Sequence, residues 1–141
     1  IILFSFGGAM RDIVYEGILK HIIPLSGFEK AELIEVRPGF ASFKIDIINE
    51  MLNPYGNVHG GVLYTLCDMA AAMSTFAYEC TSVTLSGNIN YIKGANEGFL
   101  IVSSETIHKG KTTAVNDVTI KDKEDKLIAS ARMTMYITGT I

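Results

Sequence analysis

Hydrophobic and polar residues alternate along most of the C-terminal half of the chain and in two shorter segments before it. The alternation is most regular near the end, where one face would carry Leu127, Ala129, Ala131, Met133, Met135 and Ile137. A period of two is typical of strands that cover a core with one face. The pattern therefore predicts an antiparallel sheet, with strands over 31–37, 41–48, 83–91, 99–108, 112–121 and 127–137.

One segment, over 59–79, has the helical period instead. Apolar residues recur there at steps of three and four: Val62, Leu66, Met69, Met73 and Phe76. Alanines make its flanks small, and a helix that is apolar almost all round is predicted to be buried on most sides. A shorter helix is predicted over 11–23, ahead of Pro24, and a loop over 49–58.

These elements predict an α+β fold in which a curved antiparallel sheet of about six strands wraps around the long central helix, the arrangement called a hotdog. The 141 residues correspond to one domain, which we expect to cover residues 11–141. Residues 1–10 are apolar, contain glycine and lack the basic region and cleavage site of a signal peptide. We expect them to be an N-terminal extension outside the fold.

Composition argues against several classes of function. The net charge is −3 and the lysines and arginines are scattered, which disfavours a nucleic-acid-binding face. No apolar run is long enough to predict a membrane span. Cys67, Cys80 and the three histidines lack the spacing of metal ligands, so no metal site is predicted. Two unpaired thiols are typical of an intracellular protein.

Asp68 is the strongest candidate for chemistry, because it is the only charged residue between Gly60 and Tyr78. A carboxylate in an apolar helix costs free energy unless it is paired or has a function, such as that of a general base. The alternative is a solvent-facing position on a helix less buried than its pattern indicates. The neighbouring Cys67 is interpreted as a buried thiol rather than as a nucleophile.

The start of the long helix is the second candidate region. Its first amides have no partner within the helix, and Gly60 and Gly61 leave them open to a ligand oxygen, as in an oxyanion hole. His59 could equally be a helix cap, and Asn53 an ordinary turn residue. His59 and Asp68 are about 13 Å apart along the helix. One thioester could not easily reach both in one chain, which favours a site shared across a two-fold dimer.

The spacing of Asn53, His59-Gly60-Gly61 and Asp68 resembles the branch of hotdog thioesterases that contains the phenylacetyl-CoA enzyme and human thioesterase superfamily member two. The resemblance covers nearly the whole domain. It implies hydrolysis of acyl-CoA, with Asp68 as the base or the nucleophile and Gly60 as the oxyanion donor. Asn53 and His59 would orient the thioester end and the helix start.

The resemblance implies further site residues. Ser86 would help to hold the attacking water, although it could equally be an ordinary polar residue of a strand. Gly110, Lys111 and Thr112 match a segment near the coenzyme A nucleotide in some relatives. Independently of the resemblance, the phosphates of coenzyme A need cations, for which Lys93, Lys109 and Lys111 are candidates, and Gly61 is expected to border the substrate. Residues 110–112 could also be a simple hairpin turn, since they lack the upstream glycine of a phosphate-binding loop.

The resemblance also implies a homodimer and a homotetramer, and a place in fatty acid metabolism in the cytoplasm or in the matrix of mitochondria or plastids. No cofactor is expected, because coenzyme A is part of the substrate. Two alternatives stay open at this point: a hydratase or dehydratase acting on enoyl thioesters, and a non-catalytic module that binds acyl-CoA. A hydratase site typically pairs a histidine with an acid, and no second histidine is near His59 in sequence.

Overall fold

The computed structural model describes residues 10–141. The expectation for residues 1–9 therefore lies outside the described residues, while Met10 is partly buried against the core. Two helices are present, α1 (Asp12–Leu19) and α2 (Gly60–Phe76), and the rest of the fold is built on six strands. These are β1 (Glu32–Arg37), β2 (Phe40–Asp46), β3 (Cys80–Tyr91), β4 (Phe99–Lys109), β5 (Thr113–Asp122) and β6 (Leu127–Thr140).

The six strands form one sheet in the order β1-β2-β4-β5-β6-β3, and all neighbours are antiparallel. Helix α2 packs against strands β2 to β6. Its core-facing side is fully buried, with Leu66, Met69 and Met73 at most 1% exposed. The predicted α+β hotdog fold, with a long central helix and a sheet of six strands, is confirmed. The periodicity of apolar residues is sufficient to predict this part of the fold, because each apolar face must pack against another element.

A buried polar cluster fixes the C-terminal end of α2 against the sheet. The Asn116 side chain on β5 donates to the Thr75 hydroxyl at 3.1 Å, and its carbonyl oxygen accepts from Thr106 at 2.5 Å. The Ser74 hydroxyl lies 2.8 Å from that of Ser104 on β4. Among the described residues, no buried side-chain nitrogen or oxygen lacks a hydrogen-bond partner. The cluster therefore gives this end of the helix a single register on the sheet.

Helix α1 lies across the same end of α2 and ends earlier than the predicted 11–23. A Cβ at Gly17 would overlap the ring of Phe76, so the two helices approach each other closely there. Tight turns follow Leu19, with the His21 amide bonded to the Ile18 carbonyl at 3.0 Å. The residue before a proline avoids the helical conformation, which excludes Ile23 from the helix, and the tight turns end the helix before that point.

One predicted side-chain direction, that of Leu127, was wrong. In β6, Leu127 is 36% exposed and Ile128 is fully buried, because the β5–β6 pairing is irregular between Ile120 and Lys121. In β3, the apolar residues Val83 and Leu85 are 57% and 60% exposed. This strand is bonded to β6 alone and forms one edge of the sheet, so its other edge is open.

Helix α2 is also less buried than its pattern predicted. Along one side, residues at steps of four and three are partly or fully exposed: Gly61, Thr65, Asp68 and Ala72. That side faces the open edge of β3, since Asp68 contacts this strand. The solvent-facing alternative for Asp68 is thus correct in part, and the open side of the fold contains both candidate regions.

Candidate functional site

The loop before α2 is shaped by Asn53. Its side-chain oxygen accepts hydrogen bonds from the amides of Tyr55 at 2.9 Å and Asn57 at 3.1 Å. The Asn53 amide in turn donates to the Asn57 carbonyl at 2.7 Å. Gly56 closes this turn with a φ of 85°, a conformation that favours glycine. Asn53 therefore organises the approach to the helix, and its side-chain oxygen is used within the loop.

Backbone bonds hold the start of α2 in place. The His59 amide donates to the Met51 carbonyl at 2.9 Å, and the Val58 amide donates to Ala95 at 2.8 Å. His59 occupies the N-cap position but makes no capping hydrogen bond through its side chain, which is exposed. The alternative interpretation of His59 as a helix cap is therefore not supported.

The first turn of α2 presents free backbone donors to a cavity. The Leu63 amide bonds back to the His59 carbonyl at 3.1 Å, and the amides before it have no acceptor within the helix. No atom lies within 4 Å of the place that a Cβ on Gly61 would take. A cavity of about 270 Å³ adjoins this turn and is lined by Val58, Gly60, Leu63, Tyr91, Ile92, Lys93 and Gly94. The positive end of the helix dipole adds to these donors, so the turn suits a developing negative charge.

Asp68 lies two turns further along α2 and is partly exposed. The Thr84 hydroxyl on β3 donates to its Oδ1 at 2.6 Å. The hydrogen bond orients the carboxylate, which remains partly accessible to solvent. Burial, reinforced by the charge of Asp68, raises the pKa of the adjacent Cys67 to about 12. Cys67 therefore stays a neutral thiol at physiological pH, in agreement with its interpretation as a buried residue rather than a nucleophile.

Ser86 is not brought to Asp68. It pairs with Thr134 of β6, whereas Thr84 pairs with Met135, and the pairing is irregular between the two. Met135 is buried and Thr134 only partly, so Ser86 shares the outer face of the sheet while Thr84 faces α2. Thr84 was missed by the sequence analysis, because a strand irregularity leaves no local signal.

The residues expected to bind coenzyme A lie in two groups. Lys93 lines the cavity beside Gly60, and its Nζ is 3.7 Å from Asp122 Oδ2. Lys109 instead stands over the ring of Tyr78, just beyond the C-terminal end of α2, at 5.2 Å from the ring centroid.

The remaining expected residues, Gly110, Lys111 and Thr112, belong to the same distant turn. The Gly110 amide donates to the Thr113 carbonyl, and Thr112 accepts from Ile137, both at 2.8 Å. A helix of 17 residues is about 26 Å long, so one chain does not bring the two groups together.

Gly60 and Asp68 are likewise separate in one chain. Eight residues of helix place them about 12 Å apart along the axis. Within residues 10–141, no three histidine, cysteine, aspartate or glutamate side chains are grouped so as to hold a metal ion. None of the helices in this part of the chain has the length and apolarity to cross a membrane. The arrangement therefore offers an oriented carboxylate and an oxyanion-type helix start, on one side of the molecule.

Known proteins share this arrangement of elements. The model of the thioesterase superfamily matches residues 55–129, which include the helix start, Asp68 and Thr84. Acyl-coenzyme A thioesterase PaaI of Escherichia coli is 32% identical over 117 residues, covering 78% of this chain and 80% of its own. Human acyl-coenzyme A thioesterase 13 is 30% identical over 131 residues, covering 85% of this chain and 91% of its own.

Solved structures agree with these relatives. A hypothetical thioesterase of Streptococcus pneumoniae, solved with coenzyme A, has a TM-score of 0.82 and 34% identity, covering 89% of this chain and 97% of its own. Two variants of the S. pneumoniae thioesterase, one with an aspartate-to-alanine and one with a threonine-to-alanine substitution, each have a TM-score of 0.79 and 36% identity, covering 82% of this chain and 96% of their own. The resemblance to hotdog thioesterases is confirmed, and this chain is a thioesterase that belongs to the thioesterase superfamily.

Proposed function

We propose that this protein hydrolyses acyl-CoA thioesters to the free acid and coenzyme A. The observation that carries the proposal is the Asp68 carboxylate, oriented by Thr84 on the open side of a helix whose first residue, Gly60, lines a cavity. The acyl-CoA thioesterases of E. coli and human, and the coenzyme A bound in the S. pneumoniae structure, support this substrate class. No cofactor is required, since coenzyme A is part of the substrate.

The proposed reaction uses the two regions together. Asp68 takes a proton from water, and the hydroxide attacks the thioester carbonyl carbon. The carbonyl oxygen becomes an oxyanion and accepts a hydrogen bond from the Gly60 amide, after which the carbon–sulfur bond breaks and coenzyme A leaves as thiolate. His59 lies beside the thioester end, and Asn53 keeps the loop in shape. Thr84 orients the Asp68 carboxylate, and holding of the attacking water by Ser86 stays a prediction.

Asp68 could instead attack as a nucleophile and form a mixed anhydride. Water attack on the aspartyl carbon of that anhydride would place a labelled oxygen in Asp68 after a single turnover, whereas the general-base route places the label only in the released acid. The geometry favours the base, because Thr84 already occupies one carboxylate oxygen. Label in the peptide that contains Asp68, measured by mass spectrometry, would establish the nucleophilic route.

Two copies related by a two-fold axis would complete the site. On α2, Tyr64 is midway between Gly60 and Asp68. On β3, Thr84 contacts Asp68 and Tyr91 contacts Gly60. Gly87 is near the middle of the segment between these two strand residues. Tyr64 and Gly87 touch, since a Cβ at Gly87 would overlap the Tyr64 hydroxyl.

An axis beside this contact would pair the open edge of β3 with that of a second copy. In an antiparallel pair, the Thr84 end of one β3 lies beside the Tyr91 end of the other. The pairing would therefore also set Gly60 of one copy beside Asp68 of the other. Closing the edge removes a row of unpaired backbone groups, which an exposed strand otherwise leaves open to aggregation. Native mass measurement would separate this dimer from the tetramer that the resemblance implies.

Binding of coenzyme A is proposed to begin at Lys93. This lysine lines the same cavity as Gly60, and ammonium groups recognise phosphate through charge-assisted hydrogen bonds. Lys109, Gly110, Lys111 and Thr112 could contribute only from the other copy, since they lie at the opposite end of α2. Gly61 borders the site through its open backbone.

The alternative of a hydratase or dehydratase is disfavoured by the histidines. His21 is bonded to the Gly17 carbonyl and packs on Phe76, and His108 is near Gly110 at the far end of α2. In the described part of the chain, His59 is thus the single histidine at the site. Water addition to an enoyl-CoA without thiol release would favour the alternative, and tight binding without turnover would indicate a non-catalytic module.

The first test follows thiol release from short, long and aromatic acyl-CoAs. Asp68→Asn should lower kcat by about 10²–10⁴-fold, the usual contribution of a positioned base, while the oligomer stays folded. The matched control is Asp46→Asn, at an exposed aspartate that ends β2. Full activity in Asp68→Asn would contradict the mechanism.

Mixing two inactive variants tests the shared site. Asp68→Asn and Gly60→Pro remove the two halves of one site in different chains. If they assort at random in a two-fold dimer, about a quarter of the sites should regain both native residues and restore activity. Mixed dimers without activity would contradict sharing.

A further inference from the structure

Tyr91, the last residue of β3, stands over the first turn of α2. Its hydroxyl donates a hydrogen bond to the Gly60 carbonyl at 2.8 Å. The ring carbon Cζ and the hydroxyl oxygen are each 3.1 Å from the place that a Cβ on Gly60 would take. Tyr91 and Gly60 also line the same cavity. The phenol therefore contacts the peptide unit that directly follows the proposed oxyanion donor.

Backbone bonds from Val58 and His59 hold the chain up to the start of α2, but the amides of the first helical residues have no acceptor within the helix. Two glycines follow each other there, and glycine has more conformational freedom than any other residue. The N-cap residue His59 makes no side-chain cap bond, and Gly61 has open space beside it. An oxyanion donor must hold its direction before the reaction, because its contribution depends on preorganisation. A bond from the sheet to this turn would supply that constraint.

We infer that the Tyr91 hydroxyl is a positioning group, which ties the Gly60–Gly61 peptide to the sheet and so fixes the direction of the first amides of α2. This inference rests on the proposed thioesterase mechanism. It differs from a substrate-binding role, because the hydroxyl hydrogen is already directed at the Gly60 carbonyl. Burial raises the pKa of Tyr91 above its ordinary value, so the phenol remains a donor at neutral pH.

The test compares Tyr91→Phe with Tyr136→Phe, a tyrosine on the outer face of β6. Tyr91→Phe keeps the ring against Gly60 and removes only the hydroxyl. Losing one hydrogen bond should lower kcat by roughly three- to tenfold. The KM, the melting temperature and the affinity for a non-hydrolysable thioether analogue of acyl-CoA should match those of the parent, and Tyr136→Phe should retain the parent kcat.

A second measurement reports on the turn directly. NMR order parameters of the Gly60 and Gly61 amides should fall in Tyr91→Phe and not in Tyr136→Phe, because the constraint on this turn is lost. This result does not depend on turnover. A parent protein that releases no thiol would contradict the proposed function, whereas unchanged order parameters would contradict the inference about Tyr91.

A rescue variant separates positioning from contact with substrate. Gly61→Ala stiffens the turn through the backbone and meets no neighbouring atom. Tyr91→Phe should therefore lower kcat less in the Gly61→Ala background than in the parent. An equal loss in both backgrounds, a raised KM with unchanged kcat, or a kcat equal to that of the parent would each overturn the inference.

Discussion

The two ends of α2 differ in how far their polar groups are buried and hydrogen-bonded. At the C-terminal end, Ser74 and Thr75 are fully enclosed and bonded to strand side chains, and α1 covers the helix through Phe76. At the N-terminal end, Gly60 borders a cavity, Gly61 has open space beside it, and Asp68 is partly exposed near the open sheet edge. One end has every buried polar group satisfied, while the other keeps donors and a carboxylate available.

The difference shows how a small domain can keep reactive backbone groups open. Unpaired amides cost stability, and a rigid anchor elsewhere on the same helix can hold them in place without covering them. We therefore expect substitutions at the closed end to change mainly stability, and substitutions at the open end to change mainly turnover.

After Asp68, the largest effect is expected from the helix start. Gly60→Pro removes the amide hydrogen, and proline suits the first helical position. Since one oxyanion donor is worth about 10²–10³ in rate, kcat should fall by that factor. Gly60→Ala adds a Cβ near Tyr91 as proline does, but it keeps the amide. The kcat ratio of the two variants isolates the donor, and a ratio near one would contradict its role.

The closed end should respond in stability. Asn116→Leu would leave the buried Thr75 hydroxyl without this donor, at a cost of about 1–3 kcal/mol in the free energy of unfolding, and would also remove the acceptor of the half-buried Thr106. Urea denaturation measures this loss. The kcat per folded molecule should stay near that of the parent, and a selective loss of kcat would break the division between the two ends.

The contact between Thr84 and Asp68 should have a smaller effect. Thr84→Val keeps the shape and removes the hydroxyl that orients the carboxylate, so kcat should fall by roughly three- to tenfold. Ser86→Ala, two residues away on the outer face, is the matched comparison and should have the weaker effect. A larger loss of kcat in Ser86→Ala than in Thr84→Val would contradict the assignment of Thr84 as the residue that orients Asp68.

The smallest effect concerns thiol chemistry next to the site. Burial raises the pKa of Cys67 to about 12, so below that pH the folded protein holds it as an unreactive thiol. Iodoacetamide at pH 8 should leave Cys67 unmodified until denaturant is added, as peptide mass spectrometry would show. Rapid modification of the native protein would mean that Cys67 is more accessible to solvent than the structure shows.

Several features could be predicted from the sequence because they depend on local order. The periods of two and of about 3.6 place the strands and both helices, since each element covers a core with one regular face. Asn53, His59, Gly60 and Asp68 belong to one continuous loop and helix, so their spacing along the chain already sets their relative positions. The isolated carboxylate and the paired glycines could be identified for the same reason.

Only the tertiary structure decided which side chains meet across elements. The position of β3 at the sheet edge left Val83 and Leu85 exposed, and its irregular pairing brought Thr84 rather than Ser86 to Asp68. A shift of one residue sends a strand side chain to the opposite face, and periodicity does not reveal such shifts. The bond from Tyr91 to Gly60 joins residues 31 positions apart, so strand pairing and helix packing, rather than the local sequence, determine it.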